Sequence, residues 1–172
     1  PRARRLVFAS LRSGGRVALY QADPRGRGYS RLLRPAGRVR GAQNWSPLGD
    51  RLVFGYRKTI REEEYVFRIG VQDIAGRRSE LVQPASDSTA VPSPPGTKIA
   101  LTRRTGGHAS LFVINADGSG ARRLTAGRAP QWTPSGQTIV FMRGGEVRTI
   151  AADGTGERRL AIGLDPTLSP DG

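Results

Sequence analysis

Short apolar runs separated by polar turns make up this chain, and one such run recurs four times. The copies are Leu6-Val7-Phe8, Leu52-Val53-Phe54, Ile99-Ala100-Leu101 and Ile139-Val140-Phe141. Each copy follows Arg, Lys or Thr, and their first residues are 46, 47 and 40 positions apart. A period in this range indicates an array built from one supersecondary unit.

Two kinds of turn recur with the apolar runs. The first combines Pro and Gly, and its copies are Ser46-Pro47-Leu48-Gly49, Ser93-Pro94-Pro95-Gly96, Thr133-Pro134-Ser135-Gly136 and Ser169-Pro170-Asp171-Gly172. Pro presets φ for the first corner of a tight turn, and Gly accepts the positive φ that closes it. The second turn, Asp117-Gly118 or Asp153-Gly154, precedes an Arg-Arg-Leu run. Turns at these places predict antiparallel strand pairs.

Each repeat therefore predicts four short strands, and no stretch has the period of a helix. For the third repeat we expect strands at about 89–92, 98–103, 110–115 and 122–125. A single four-stranded sheet cannot bury both of its faces, so neighbouring sheets must stack on one another. Radial stacking of such sheets is the β-propeller, an all-β fold.

The repeats divide the chain into about four blades of one propeller domain, residues 1–172. We expect repeats at about 1–40, 41–86, 87–127 and 128–163, with the start of a next blade at 164–172. The first repeat opens at its aligned strand, with no strand before it. We favour a segment of a larger propeller; the alternative is a terminal strand at about 166–168 that completes the first blade and closes a four-bladed ring.

The order of these motifs resembles the TolB-type propeller repeat. The phrase Trp-Ser-Pro-Asp-Gly, an Ile-Ala-Phe-like strand, Asp-Gly-Ser-Gly and Arg-Arg-Leu-Thr all have counterparts here, best at 115–125, 132–141 and 153–160. The resemblance implies a non-enzymatic module that binds a protein or peptide. It also implies a periplasmic, extracellular or cell-envelope location, with the cytoplasm left open. Propellers host unrelated activities, so the resemblance supports the fold more strongly than the function.

The charge of the chain favours solvated blade edges over a nucleic-acid site. The formal net charge is +14, carried by 28 basic residues of which only Lys58 and Lys98 are Lys. These basic residues are spread along the chain and many recur at equivalent repeat positions. Aromatic residues make up only 6% of the chain, too few for a base-stacking platform. After solvated blade edges, the charge therefore favours an acidic or phosphorylated partner over a nucleic acid. We also expect non-specific binding to polyanions at low salt.

Catalytic and cofactor motifs are absent from the sequence. Cys does not occur, and the single His, His108, falls in a predicted hairpin loop. No Gly-x-Ser-x-Gly motif is present, and no run of apolar residues is long enough to span a membrane. We expect no enzyme activity, metal or cofactor in this chain. The alternative is the gating propeller of a prolyl-oligopeptidase-type serine hydrolase whose catalytic domain lies outside these residues.

Trp45 and Trp132 take the same repeat position, at the end of a predicted first strand. Leu168 and Val91 hold that position in the other copies. Apolar residues at every copy indicate filling between adjacent blades rather than stacking on a ligand.

Two binding sites are candidates. The first strands of propeller blades are innermost, so Asn44, Gln131 and Asp165 are predicted at the mouth of the central channel, where a wet channel alone also favours polar residues. The second repeat carries an insertion with Glu62, Glu63, Glu64 and Tyr65. A solvated long hairpin is its simplest interpretation, and a partner-binding loop is the alternative, because insertions on one face of repeat proteins often bind. Oligomeric state does not follow from the sequence.

Overall fold

The computed structural model describes residues 6–13, 16–33, 38–45, 51–61, 64–73, 78–81 and 86–169. Within these residues all regular structure is β-strand, which confirms the all-β prediction. The described part of the chain contains no helix that could cross a membrane. Glu62 and Glu63 lie outside the described residues, as do the turns at 47–49 and 170–172.

The described residues form fifteen strands, which make four antiparallel sheets that follow one another along the chain. The first sheet contains β1 (Leu6–Ser13), β2 (Arg16–Ala22) and β3 (Ser30–Leu33). The second contains β4 (Arg38–Trp45), β5 (Arg51–Arg61), β6 (Glu64–Asp73) and β7 (Arg78–Leu81). The third contains β8 (Ser86–Pro92), β9 (Lys98–Thr105), β10 (His108–Asn115) and β11 (Arg122–Ala126). The fourth contains β12 (Arg128–Trp132), β13 (Thr138–Arg143), β14 (Glu146–Ala151) and β15 (Arg158–Ile162).

The predicted strands of the third repeat are confirmed to within about three residues at each end. In each complete sheet the strands lie in sequence order, so every connection is a hairpin between neighbours. The insertion in the second repeat lengthens its central hairpin: β5 and β6 have 11 and 10 residues, against 8 each in β9 and β10. The insertion therefore extends the β5–β6 hairpin beyond the corresponding hairpin of the third sheet.

The two described Pro-Gly turns close with the same hydrogen bonds. The amide of Gly96 donates to the Ser93 carbonyl at 2.8 Å, and that of Gly136 to the Thr133 carbonyl at 2.9 Å. Both glycines have positive φ, 73° and 69°, which a residue with a Cβ adopts only at a cost. The turn chemistry read from the sequence therefore sets the first hairpin of each of these sheets.

In the second strand of a sheet, neighbouring residues pack alternately against the preceding and the following sheet. In the third sheet, Ile99 and Leu101 belong to a cluster shared with Val53 of the second sheet. Ala100, between them, belongs to a cluster shared with Trp132 of the fourth sheet. Side chains of a strand alternate between the two faces of the sheet. A strand that is buried on both faces therefore needs a continuous apolar run, as Ile99-Ala100-Leu101 provides. The first and second sheets meet in the same way, through Leu19 and the second strand of the next sheet.

The sheets approach one another at their first strands. Strand β4 contacts β8, and β8 contacts β12. This is the arrangement of propeller blades, whose first strands are innermost. It places strands β4 and β12 on the inner side of the stack.

Residues 163–169 form no strand, so the alternative prediction of a terminal strand at about 166–168 is wrong. Pro166 has no amide to donate to a ladder, and Asp165 has a positive φ of 49°. Leu6 of the first sheet and Leu160 of the fourth are 51% and 52% exposed. In the structure these two sheets therefore do not bury each other's outer faces, as closure of a four-bladed ring would require.

Candidate functional site

Gln131 lies on the inner strand of the fourth sheet, as predicted for a channel residue. It is half-buried and pairs with Val140 across β12 and β13. Its side-chain Nε2 donates to the backbone carbonyl of Pro166 at 2.5 Å. The amide therefore holds the main chain of a segment that lies outside its own sheet.

Asp165 takes a different place in its repeat from Gln131. It is exposed, its φ is 49°, and its amide donates to Met142 Sδ at 3.3 Å. Ala129 has the same features: its φ is 52° and its amide donates to Thr102 Oγ1 at 3.2 Å. Asp165 therefore corresponds to the bulge residue of an inner strand. Counted along the repeat, Thr167 takes the position of Gln131.

Asn44 and Gln131 hold equivalent positions in their own sheets. Asn44 pairs with Val53 across β4 and β5, and Val53 corresponds to Val140, the partner of Gln131. The two residues lie two sheets apart on inner strands that are linked through β8. Of the three predicted channel residues, Asn44 and Gln131 therefore share a sheet position. Asp165 directly precedes Pro166, whose carbonyl accepts the hydrogen bond from the Gln131 side chain.

The insertion residues lie at the other end of the second sheet. Glu64 pairs with Arg61 and Tyr65 with Thr59, at the tip of the long hairpin. Thr59 is six residues beyond Val53 along β5, or about 20 Å at the rise of an extended strand. The channel candidates and the insertion candidates therefore form two separate sites.

Trp132 fills the space between the third and fourth sheets, which confirms the prediction for this residue. Its side chain is 8% exposed and packs in the cluster with Ala100 and Ile139. The indole Nε1 donates to the Val91 carbonyl at 3.0 Å, so the one polar atom of the ring is satisfied across the interface. Trp45 ends β4 and pairs with Leu52.

A charged network that the sequence analysis missed joins the same two sheets. Glu157 accepts hydrogen bonds from Thr125 Oγ1 at 2.8 Å and Arg148 Nε at 2.8 Å, and also from Arg143. Burial acts to raise the pKa of the Glu157 carboxyl, but the bonds from Thr125, Arg143 and Arg148 together hold it below its ordinary value of 4.5. Sequence spacing gives no signal for this network, because its members come from four different strands or loops.

The Asp153-Gly154 turn of the fourth sheet is hydrogen-bonded to the third sheet. Hydrogen bonds from the hydroxyl and amide of Thr155 lower the pKa of the Asp153 carboxyl, which caps its own turn. Arg122 of the third sheet donates to the carbonyls of Ala152 and Asp153, to the former at 2.7 Å. The turn at Asp153-Gly154 is therefore part of the interface between the third and fourth sheets, and its internal hydrogen bonds account for Asp153 and Thr155 as turn residues.

His108 is exposed at the first residue of β10, where the structure pairs it with Thr105. Among the described residues, no group of three or more His, Cys, Asp or Glu side chains is arranged to hold a metal ion. The chemistry offered by the inner strands is hydrogen bonding by amides and backbone groups, which suits binding of a polar or peptide ligand.

Comparison with known proteins bears on the fold. No protein-family model and no curated protein matches the chain. A TolB-type protein from Agrobacterium tumefaciens is similar over 90% of this chain and 60% of its own, with 21% identity and a TM-score of 0.72. TolB from Acinetobacter baumannii is similar over 91% of this chain and 41% of its own, with 19% identity and a TM-score of 0.72.

A propeller from a protease also resembles the chain. The β-propeller domain of the Trilobed protease from Pyrococcus furiosus matches 75% of this chain and 45% of its own, with 11% identity and a TM-score of 0.59. The chain thus spans less than two thirds of the length of each of these solved structures. Identities this low establish the fold and nothing further. The fold is that of a TolB-like β-propeller, built here from the four sheets.

Proposed function

We propose that this chain, a TolB-like β-propeller segment, is a non-enzymatic module that binds a protein or peptide at the inner strands of its blades. The contact that carries the proposal is the hydrogen bond from Gln131 Nε2 to the Pro166 carbonyl. Here an inner-strand amide holds the backbone of a proline-containing segment from outside its sheet. An amide both donates and accepts, so it suits an extended peptide backbone.

The proposed site comprises Asn44, Gln131 and Asp165. Asn44 on β4 holds the same sheet position as Gln131 on β12. A peptide that crosses the inner strands would therefore meet one side-chain amide in the second sheet and one in the fourth. Asp165, exposed beside Pro166, would add a carboxylate that favours a basic partner residue. The insertion, with Glu62, Glu63, Glu64 and Tyr65, is the second candidate for partner contact.

The test is a selection of peptides from a displayed library on the intact chain, followed by calorimetric titration of the selected peptide. The Asn44→Ala, Gln131→Ala double variant should weaken binding by more than about 1 kcal/mol, roughly five-fold in Kd. Its unfolding midpoint should stay nearly unchanged, which serves as the control for folding. Equal affinity of the variant and the parent chain would exclude the channel mouth and favour the insertion.

A second candidate function rests on the similarity to the propeller domain of a protease. In that case the chain would gate access to the catalytic domain of a prolyl-oligopeptidase-type hydrolase. The discriminating observation is the amino-acid sequence of the polypeptide outside these 172 residues. A serine hydrolase needs the Gly-x-Ser-x-Gly motif together with an Asp and a His.

The partner and the location follow from the same proposal. We expect a protein or peptide partner in preference to nucleic acid, and a periplasmic, extracellular or cell-envelope location. The net charge of +14 should also give weak polyanion binding that salt abolishes. Elution from a heparin column at modest salt, together with no sequence preference for oligonucleotides, would agree with this. Tight binding of one nucleic-acid sequence at physiological salt would contradict it.

A further inference from the structure

The turn between β2 and β3 has the same backbone as the Asp-Gly turns of the third and fourth sheets. The Asp23 amide donates to the Arg27 carbonyl at 3.1 Å, and the Gly26 amide donates to the Asp23 carbonyl at 2.9 Å. The same two bonds close the turns that begin at Asn115 and Ala151. Two glycines in each turn have matching positive φ, 76° and 61° in the first sheet against 90° and 64° in the third. The residues of the three turns can therefore be compared one by one.

Basic side chains replace acidic ones in the turn of the first sheet. Arg25 takes the place of Asp117 in the third sheet and of Asp153 in the fourth, and Arg27 takes the place of a Ser and a Thr. The pKa of each Asp carboxyl is lowered by hydrogen bonds from the hydroxyl and the amide two residues later, so both of those turns are negatively charged at neutral pH. Residues 23–31, the basic turn, instead contain three Arg and a single acidic residue.

The arginines of the basic turn occupy a position that stays exposed beside a preceding sheet. Arg25 and Arg27 are both exposed. Asp117 and Asp153, at the position of Arg25, are exposed as well, although each belongs to a sheet that packs against the sheet before it. The Asp153 turn meets that sheet through backbone carbonyls, which accept hydrogen bonds from Arg122. Exposure is therefore a property of this turn position and does not depend on the absence of a neighbouring sheet.

Asp23 fixes the backbone of the basic turn and leaves the guanidinium groups outside. Its Oδ1 accepts hydrogen bonds from the amide of Arg25 at 2.9 Å and from that of Arg27 at 2.8 Å. Its Oδ2 lies 3.5 Å from Arg27 Nε, and the Arg27 side chain is still 70% exposed. The turn therefore presents an excess of positive charge on a backbone that is already held in one conformation.

The fourth sheet shows which ligand an arginine of this fold accepts. Glu157 accepts a hydrogen bond from Arg148 Nε at 2.8 Å, and Glu146 accepts one from Arg148 Nη1 at 2.6 Å. The planar fork of an arginine matches the two oxygens of a carboxylate. Tyr29 stands in the basic turn where the fourth sheet has Glu157. The basic turn therefore lacks the carboxylate that the fourth sheet supplies from its own chain.

Acidic groups at the equivalent turns favour a short acidic peptide over a nucleic acid as the ligand. A nucleic acid is a long polyanion, and its binding requires a continuous basic path. Asp117 and Asp153 are negatively charged, so they interrupt such a path at two of the three described turns of this type. An acidic peptide can instead place a few carboxylates on one turn.

We propose that the basic turn is a docking site for an acidic segment of a protein partner. Carboxylates of that segment bind the guanidinium groups of Arg25 and Arg27, and Asp23 holds the two arginines in place through their backbone amides. The site goes beyond the function proposed above, because it involves none of the residues of the inner-strand site or of the insertion.

The experiment titrates the intact chain into a short labelled peptide of alternating Glu and Gly and follows the fluorescence anisotropy. The Arg25→Gln, Arg27→Gln double variant should weaken binding by about five-fold or more, since it removes both guanidinium groups. The matched control is Lys98→Gln, Arg104→Gln, which removes the same net charge at two exposed positions of β9. The control should weaken binding by less than about two-fold, because distant exposed charges are screened.

Two substitutions of Asp23 distinguish a preformed turn from simple charge. Asp23→Asn and Asp23→Ala both remove one negative charge, but only Asn keeps a side-chain oxygen that accepts from the amides of Arg25 and Arg27. Asn already takes this place in the third sheet, at Asn115. The Asp23→Ala chain should therefore bind the peptide less tightly than the Asp23→Asn chain. Unchanged unfolding midpoints of the arginine and lysine variants serve as the control for folding.

Three results would overturn the proposal. Equal weakening by the two double variants would show that net charge alone governs binding. Equal affinity of the two Asp23 variants would show that the turn is not a preformed site. An oligonucleotide that displaces the peptide at a lower concentration, and that loses its own affinity in the Arg25→Gln, Arg27→Gln variant, would make a nucleic acid the occupant. None of these results bears on the peptide selected for the inner-strand site, so the two proposals fail separately.

Discussion

The ring of Phe54 lies over Gly70, its direct partner across β5 and β6. A Cβ at Gly70 would come within 2.5 Å of Phe54 Cζ and 2.8 Å of Cε2. Phe54 is fully buried and packs with Tyr56 and Leu19 between the first and second sheets, so its ring has little room to move. The glycine is therefore required by packing, not by a special backbone conformation.

Gly70→Ala should destabilise the chain by about 1–3 kcal/mol, because the added methyl group must displace a buried ring. Gly163→Ala is the matched control: its added Cβ would meet only Val147 Cγ2, at 3.9 Å. Chemical denaturation of both variants is the measurement. Equal unfolding free energies for the two would mean that the Phe54 ring relaxes without cost.

Trp132→Ala should cost about 3–5 kcal/mol, because it removes a large buried ring from the interface of the third and fourth sheets. Trp132→Phe keeps an aromatic ring but loses the donor to Val91, and the loss of that hydrogen bond alone should cost about 1 kcal/mol. Denaturation curves of the pair separate packing from hydrogen bonding. A change under about 1 kcal/mol in Trp132→Ala would contradict burial of the indole.

Glu157→Gln should make the chain less stable at neutral pH and equally stable in acid. The pKa of Glu157 in the folded chain lies below its ordinary value of 4.5, so its charge stabilises the fold above that pH. That contribution disappears as the pH falls through the lowered folded-state pKa. Unfolding free energies of parent and variant at neutral pH and at about pH 3 provide the test. A gap that persisted unchanged in acid would rule out a role for the charge.

The chain on its own should hydrolyse neither activated esters nor short peptides above the background rate. Its single His, His108, is exposed on a hairpin, where no described residue forms a nucleophile–base pair with it. Incubation with a panel of substrates is the measurement, with His108→Ala as the matched control. Turnover that was abolished both by replacing one Ser and by His108→Ala would contradict the non-enzymatic assignment.

The strands were predictable from the sequence because this fold repeats its local signals. The Pro-Gly turns fix where β9 and β13 begin, and the runs Ile99-Ala100-Leu101 and Ile139-Val140-Phe141 contain both faces of a doubly buried strand. Strand ends were less predictable, since hairpin pairing extends β9 to Thr105 beyond the apolar run.

The site was less predictable than the fold. The repeat predicts a strand at Gln131, which lies in β12, but the bond from its side chain to Pro166 depends on how the chain leaves the fourth sheet. The sequence pattern aligns Asp165 with Gln131. The positive φ that Asp165 shares with Ala129 shows instead that Asp165 aligns with Ala129, two residues before Gln131. Glu157 gave no signal at all, because its partners are brought together by packing between sheets.

In the described part of the chain, three separate apolar clusters fill the spaces between adjacent sheets. Each sheet can therefore lose its contacts with one neighbour while it keeps those with the other, as in a one-dimensional array of coupled units. Within the third sheet, hydrogen exchange should accordingly be slowest at the amides of β9, whose residues contact sheets on both sides, and faster at the edge strand β11.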